Sequence, residues 1–302
     1  MPDAPTKSSW AFLILLGMIW GGSFPAVKVA LDGFEPLSIA ALRITLAAML
    51  VTLIVALTKR RLPGFSTPTD LRIWLHALGV AAFTNALPFA LLSWGQQFVT
   101  SGFAGISMAV VPLFVLPLAH LTVPGERLNI FKSFGFLLGF LGVLVLMGQS
   151  AFDSSGATSE NLARFACIAA TACYAIGNII TRLSPPVSQL GFSSASLLLA
   201  TLLILPTALF VEGLPTFVLS APSLAVIYLG LVPTALATVI MVRIIRTAGP
   251  SFMVLVNFQV PIWAALMGVV FLAEHLPTRF IAALGLILAG LAISRMQRRP
   301  LR

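Results

Sequence analysis

Long apolar runs separated by short polar joints dominate the chain. Between Arg72 and Glu126 there is no Asp, Glu, Lys or Arg. An α-helix rises about 1.5 Å per residue, so about 20 apolar residues cross the roughly 30 Å hydrocarbon core of a bilayer. That stretch holds two spans, divided by the polar cluster Trp94-Gly95-Gln96-Gln97 and Thr100-Ser101-Gly102. The same reading of the whole chain predicts ten spanning helices, at 10–31, 36–57, 73–94, 100–122, 129–148, 163–182, 190–211, 222–242, 250–272 and 277–295. Turn formers mark the joints: Asp32-Gly33, Pro63-Gly64, Pro124-Gly125, Pro185-Pro186, Gly213 with Pro215, and Gly249-Pro250. The first run follows Lys7 in the manner of a signal peptide. It is longer than a signal h-region and no small-residue cleavage motif follows, so it is expected to be a true span.

Composition sharpens this picture. Of 302 residues, 59% are hydrophobic and 9% charged, with a mean hydropathy of +1.03. Soluble domains carry about 25% charge, so ordinary soluble domains and disorder are excluded. Two cysteines, Cys167 and Cys173, are too few for a disulfide framework. They sit about 240° apart around a helix and read as small buried hydrophobes.

The net charge of +9 is unevenly spread. With ten spans, 14 of the 18 Lys and Arg fall on the side that carries both termini. Lys28, Arg164 and Arg279 fall on the other side, and Arg43 lies inside a span. That bias places both termini in the cytoplasm of a multi-pass protein of the inner (plasma) membrane. The bases are scattered over several loops without interleaved aromatics, which suits topogenic anchors and gives no nucleic-acid partner. Lipid bilayer and a small-molecule substrate are the expected partners.

The two halves resemble each other. Trp20 to Lys28 aligns with Tyr174 to Arg182, Glu126-Arg127-Leu128 with Glu274-His275-Leu276, and Gly142 then meets Gly290. Five spans per half is an odd number, so residues 149–302 would enter the membrane inverted relative to residues 1–148. The expected fold is an all-α integral membrane protein: ten transmembrane helices as two inverted five-helix repeats around a central cavity. Transporters built this way bind substrate near the midplane, between the repeats.

Trp20-Gly21-Gly22-Ser23-Phe24, Leu42-Arg43 and the twin Glu-x-Leu segments at 126–128 and 274–276, each opening a Gly-rich span, carry a further resemblance. Over nearly its whole length the chain resembles the EamA family of the drug/metabolite transporter superfamily. The resemblance implies a ten-helix bundle that moves small metabolites, usually outward. That superfamily includes YddG-type aromatic amino acid exporters as well as nucleotide-sugar and sugar-phosphate antiporters.

Polar residues inside apolar spans are the candidate chemistry, because a polar face is unfavourable against lipid. In the sixth span Thr171, Tyr174, Asn178 and Thr181 share one helical face. The repeat sets Trp20 opposite Tyr174, with Ser23 one turn further, beside the helix-weakening Gly21, Gly22 and Pro25. Asn85 and Trp94 in the third span, Met108 in the fourth, Tyr228 and Thr238 in the eighth and Asn257 in the ninth complete the expected substrate-binding set. Asn257 and Gln259 are about 200° apart, so a regular helix turns only one of them to a cavity; the Asn257 face, shared with Met253, is preferred. Interhelical hydrogen bonding is the plain alternative for all of these.

No carboxylate falls at membrane depth, so proton coupling would have to use His76 or His120, both in end turns. Lys28 and Arg43 are the only bases at plausible depth, and both could snorkel to the interface. That inventory suits a neutral or zwitterionic substrate better than a phosphorylated one. The Gly-rich fifth and tenth spans (Gly135, Gly139, Gly142; Gly285, Gly290) read as scaffold or a dimer face, leaving monomer and homodimer both open.

There is no H-E-x-x-H and no G-x-S-x-G, and no enzyme, metal or cofactor is expected. The expected function is export of small organic metabolites, neutral or aromatic amino acids first, by alternating access without proton coupling. The alternatives are antiport of sugar phosphates or nucleotide sugars, and multidrug or metabolite export coupled to protons through His.

Overall fold

A computed structural model describes residues 6–58, 60–99, 101–147, 159–272 and 279–294. These residues form helices and connecting turns, without strands. The first apolar run is two helices, α1 (Lys7–Gly21) and α2 (Ser23–Ala30), jointed at Gly22. Thr6 starts α1 with a capping box closed by Ser9. Helix α3 (Pro36–Leu57) has proline in its first turn, where a missing N–H costs nothing.

The third run is α4 (Pro68–Val80), a π segment π1 (Ala81–Ala86) and α5 (Leu87–Gly95). Then come α6 (Ser101–Met108), α7 (Val111–Thr122) and α8 (Ile130–Met147). The second half opens with α9 (Glu160–Leu183) and α10 (Gln189–Val211). It continues through α11 (Ala221–Leu229), a second π segment π2 (Gly230–Leu236), and α12 (Ala237–Ala248). The short α13 (Pro250–Met253), α14 (Val256–Leu272) and α15 (Phe280–Ser294) complete it.

Among the described residues six helical runs are long and apolar enough to cross a membrane: 7–30, 36–57, 68–95, 160–183, 189–211 and 221–248. Shorter apolar helices, Val111–Thr122, Ile130–Val145 and Phe280–Ser294, lie in three of the four other predicted segments. Glu274 and His275, half of the twin Glu-x-Leu signature, lie outside the described residues. Large apolar side chains on α3 and α10 point outward: Met49 is 64% exposed, Leu57 74% and Phe210 93%. Water would not favour such a surface; acyl chains would.

Helix contacts recur with the halves exchanged. α1 packs on α14 and α9 on α7; α1 meets α12 and α9 meets α5; α3 meets π2 and α10 meets π1. Two pairs are exchanged into themselves, α3 with α10 and α8 with α15. The last pair explains the glycines. A Cβ added at Gly135 would lie 2.5 Å from the Gly290 carbonyl oxygen, and one at Gly290 would lie 2.5 Å from the Gly135 oxygen. Gly135 and Gly290 thus bring the two Gly-rich helices of this chain together, as the scaffold role requires.

Electrostatic clasps tie helix ends. The Glu212 carboxylate, after α10, accepts from the Leu37 amide (2.9 Å), the Ser38 amide (2.7 Å) and the Ser38 hydroxyl (2.8 Å) at the start of α3. Those amides are otherwise orphaned in the first helical turn, where negative charge is favoured. Lys28 donates to the Gln96 carbonyl at 2.7 Å, joining the ends of α2 and α5. In the second half Arg182 donates to the Arg246 carbonyl at 2.5 Å and Arg246 to the Pro185 carbonyl at 3.0 Å, joining the ends of α9 and α12.

Candidate substrate cavity

A central cavity opens where both halves meet, and both π segments border it. In π1, Pro88 one turn on removes an N–H, and the Asn85 side-chain amide donates to the Val80 carbonyl at 3.3 Å. The extra residue turns the neighbours Thr84 and Asn85, about 100° apart on a regular helix, to the same cavity. In π2, Pro233 has no N–H for the Leu229 carbonyl, and the Thr234 hydroxyl supplies the missing donor at 2.7 Å. That leaves Thr234 Oγ1 free to accept, and Arg43 Nε donates to it at 3.0 Å.

Arg43 does not snorkel. It is 6% exposed, lines the cavity, and lays its guanidinium 3.9 Å from the Phe89 ring centroid. Gly230 makes this possible, since a Cβ there would meet Leu46 Cβ at 2.8 Å and the Arg43 carbonyl at 3.2 Å. Lys28, by contrast, is exposed and spent on Gln96, away from the cavity.

Helix α9 contributes Tyr174 and Asn178 to the same wall as Arg43. The outer members of that polar stripe serve their own helix: Thr171 donates to the Ile168 carbonyl at 2.7 Å and Thr181 to the Gly177 carbonyl at 2.8 Å. Trp20 lines the cavity and donates from Nε1 to the Pro233 carbonyl at 3.3 Å, across the halves. Ser23 is beside it, with its proton spent on the Trp20 carbonyl at 2.7 Å. Met108, Thr238 and Asn257 also line the cavity. Gln259 instead sits on Gly17, where an added Cβ would be 3.1 Å from Gln259 Cβ.

The cavity therefore gathers Trp20, Ser23, Asn85, Met108, Tyr174, Asn178, Thr238 and Asn257 from the expected set. Two members stand outside it. Trp94 packs on Phe98 with ring centroids 5.2 Å apart, in a cluster with Phe24 and Cys167. Tyr228 packs beside Val27 and Leu229, its phenol an electrostatic neighbour of Arg43 behind the wall.

His76 and His120 are also remote. His76 Nδ1 lies 2.7 Å from the Arg72 carbonyl, and His120 Nδ1 accepts the Leu128 amide at 3.3 Å. Sequence reasoning missed Thr84 and Phe89 as wall residues. The Thr84-Asn85 pair followed by Pro88 was the available signal, but only the π segment brings both residues to the wall, with the Thr84 hydroxyl buried against Gly177.

Among the described residues the wall is mostly apolar and aromatic, with a few amides and hydroxyls and one cation, the composition of a small-molecule site. Among the described residues no group of three or more His, Cys, Asp or Glu is placed to hold a metal ion.

Comparison with known proteins agrees with this architecture. Residues 8–148 and 161–296 each match the EamA-like transporter family. An uncharacterized transporter of Archaeoglobus fulgidus is 26% identical over 287 residues, 94% of this chain and 97% of that one. A probable terminal-alkyne amino-acid exporter of Streptantibioticus cattleyicolor is 25% identical over 239 residues, 78% of this chain and 75% of that one. The uncharacterized inner membrane transporter YedA of Escherichia coli K12 is 24% identical over 284 residues, 93% of this chain and 88% of that one. A crystal structure 20% identical in sequence shares the fold, with a TM-score of 0.77 over 96% of both chains. A polar-studded cavity inside a lipid-facing helical bundle, matched over both halves, makes this chain a member of the EamA-like transporter family, a multi-pass membrane transporter and not an enzyme.

Proposed function

We propose that the protein exports small amphiphilic metabolites, neutral or aromatic amino acids foremost, through the central cavity by alternating access. The convergence of Trp20, Tyr174 and Asn178 with Asn85 and Asn257 on one cavity carries this reading. Aromatic rings and methionines offer an apolar berth, while amides and hydroxyls satisfy a ligand's polar end. The likeness to a probable amino-acid exporter supports the same class. Among the described residues a single cation lines the cavity, too little for a nucleotide sugar or sugar phosphate, which calls for two or more.

In this reading the chain is a pair of inverted five-helix repeats, residues 1–148 and 149–302, with both termini cytoplasmic. The exchanged helix contacts and the two family matches support the repeat, and the charge bias supports the orientation. The equivalent clasps, Lys28 to Gln96 and Arg182 to Arg246, then lie on opposite faces of the membrane. Transport is facilitated, because no carboxylate or histidine lines the cavity among the described residues.

Counterflow of radiolabelled L-phenylalanine into proteoliposomes tests this. Saturable uptake that Asn178→Ala weakens is expected. Absence of counterflow for every neutral amino acid, in vesicles whose protein remains folded, would sink the substrate class.

A further inference from the structure

Arg43 is a buried cation with no counterion among the described residues. Among the described residues no carboxylate reaches ion-pair distance of it, and it is the only Lys, Arg, His, Asp or Glu in the cavity wall. The other described acids are occupied or exposed. Glu212 holds the start of α3, Glu126 pairs with Lys132 at 3.3 Å, Glu160 with Arg164, and Asp70 caps α4. Burying an unpaired guanidinium is costly unless something compensates it.

The compensation visible here is partial. Phe89 covers one face of the guanidinium at 3.9 Å, and Thr234 takes the Nε proton at 3.0 Å. A guanidinium has five N–H donors. The four on the terminal nitrogens make no hydrogen bond within the described residues, and these nitrogens are not sealed in protein. Since Arg43 lines the cavity, they open onto it. Terminal nitrogens side by side are the geometry that receives a carboxylate through two parallel bonds. The Thr234 hydroxyl fixes the plane of that fork, because its own proton is committed to the Leu229 carbonyl at 2.7 Å.

From this we infer that Arg43 is a carboxylate receptor, and that the cavity selects molecules with one carboxylate and an apolar or aromatic body, an amino group being dispensable. The inference rests on the proposed substrate cavity and makes its ligand class narrower. Among the described residues nothing anionic lines the wall to pair with a substrate ammonium, whereas the carboxylate meets a full charge. A second carboxylate would be buried without a partner, so dicarboxylates are refused.

The test is thermal melting of the detergent-purified full chain with 3-phenylpropionate, its methyl ester, and benzylmalonate, alongside counterflow of labelled phenylalanine with the same competitors. A ligand bound only by the folded state raises the melting temperature with its concentration. The acid should bind about 10- to 100-fold more tightly than the ester, as expected for a desolvated charge pair, and benzylmalonate should protect less than the monoacid. Arg43→Gln should erase the preference for acid over ester, and Arg43→Lys, which keeps the charge and loses the fork, should keep part of it.

Equal protection by acid and ester in the native protein would overturn the inference without recourse to any variant. So would an acid preference that survives in folded Arg43→Gln. If 3-phenylpropionate protects through Arg43 but no amino acid is transported, the carboxylate receptor stands and the amino-acid reading fails. If phenylalanine is transported and competes no better than its methyl ester, the reverse holds.

Discussion

Pro233 deprives π2 of one N–H, and the consequence reaches the cavity through single atoms. Leu229 takes its missing hydrogen bond from Thr234, whose hydroxyl then accepts Arg43. Thr234→Val should remove both contacts at once, leaving the Leu229 carbonyl and Arg43 Nε unpaired, a loss of about 1–3 kcal/mol per orphaned group. Thr234→Ser should restore them. Affinity for a carboxylate ligand and the melting temperature, measured together, separate a positioning role from mere loss of fold. Only the Ser variant is expected to recover the preference for acid over ester. Trp20 is a second case. Trp20→Phe keeps an aromatic wall but loses the Nε1 bond to the Pro233 carbonyl, worth about 0.5–1.5 kcal/mol. Reduced counterflow at nearly native expression is the expected result.

Helices meet through glycines at the places where they cross most closely. Gly290→Ala sets a methyl group against the Gly135 carbonyl and the Gly139 amide, 2.5 and 2.6 Å from the new Cβ, and backbone cannot step aside as a side chain can. Overpacking of this kind costs about 1–3 kcal/mol, so a lower melting temperature is expected without a change in ligand preference. Gly285→Ala is the internal control, since nothing lies within 4 Å of a Cβ there. Gly177 is different: an added Cβ would collide with Thr84 Oγ1 and lie 3.2 Å from the Thr84 amide, at the cavity. Gly177→Ala should therefore impair transport as well as stability, which paired melting and counterflow measurements would reveal. At the α3 start, Glu212→Ala orphans the Leu37 and Ser38 amides and should cost about 0.5–2 kcal/mol, the usual worth of an N-terminal cap.

At the scale of the whole molecule, the proposed orientation rests on the charges and the proposed facilitated mechanism on the cavity. Reporter fusions active only in the cytoplasm should be active at both termini of the proposed topology. Counterflow should be insensitive to an imposed pH gradient. A requirement for the gradient would move attention to His76 and His120, the described histidines, although both bond to local backbone away from the cavity. Two helical runs were legible from sequence almost to the residue, whereas the predicted start at 73 falls five residues inside α4 and the predicted end at 242 stops six residues short of the end of α12. The predicted span 36–57 is α3, and 190–211 differs from α10 by one residue at its start. Half a bilayer's worth of polar chain cannot hide in hydrocarbon, so apolar length and turn residues suffice. The cavity was legible in large part, through the stripe at Tyr174 and Asn178 and its counterpart at Trp20 and Ser23.

Sequence by itself therefore determined that this is an all-helical membrane protein, where its helices run, and which polar residues lipid would reject. Those properties depend on local hydropathy and backbone hydrogen bonding, which each segment settles alone. Only the tertiary structure decided which rejected residues share one space. The π segments change helical phase by an extra residue, turning Thr84 inward and setting Thr234 under Arg43. Close approach at Gly230 draws Arg43 into the cavity wall, while packing between the halves keeps Trp94 and Tyr228 outside it. Phase shifts and interhelical distances belong to pairs of helices, and a periodicity read along one strand of sequence does not contain them.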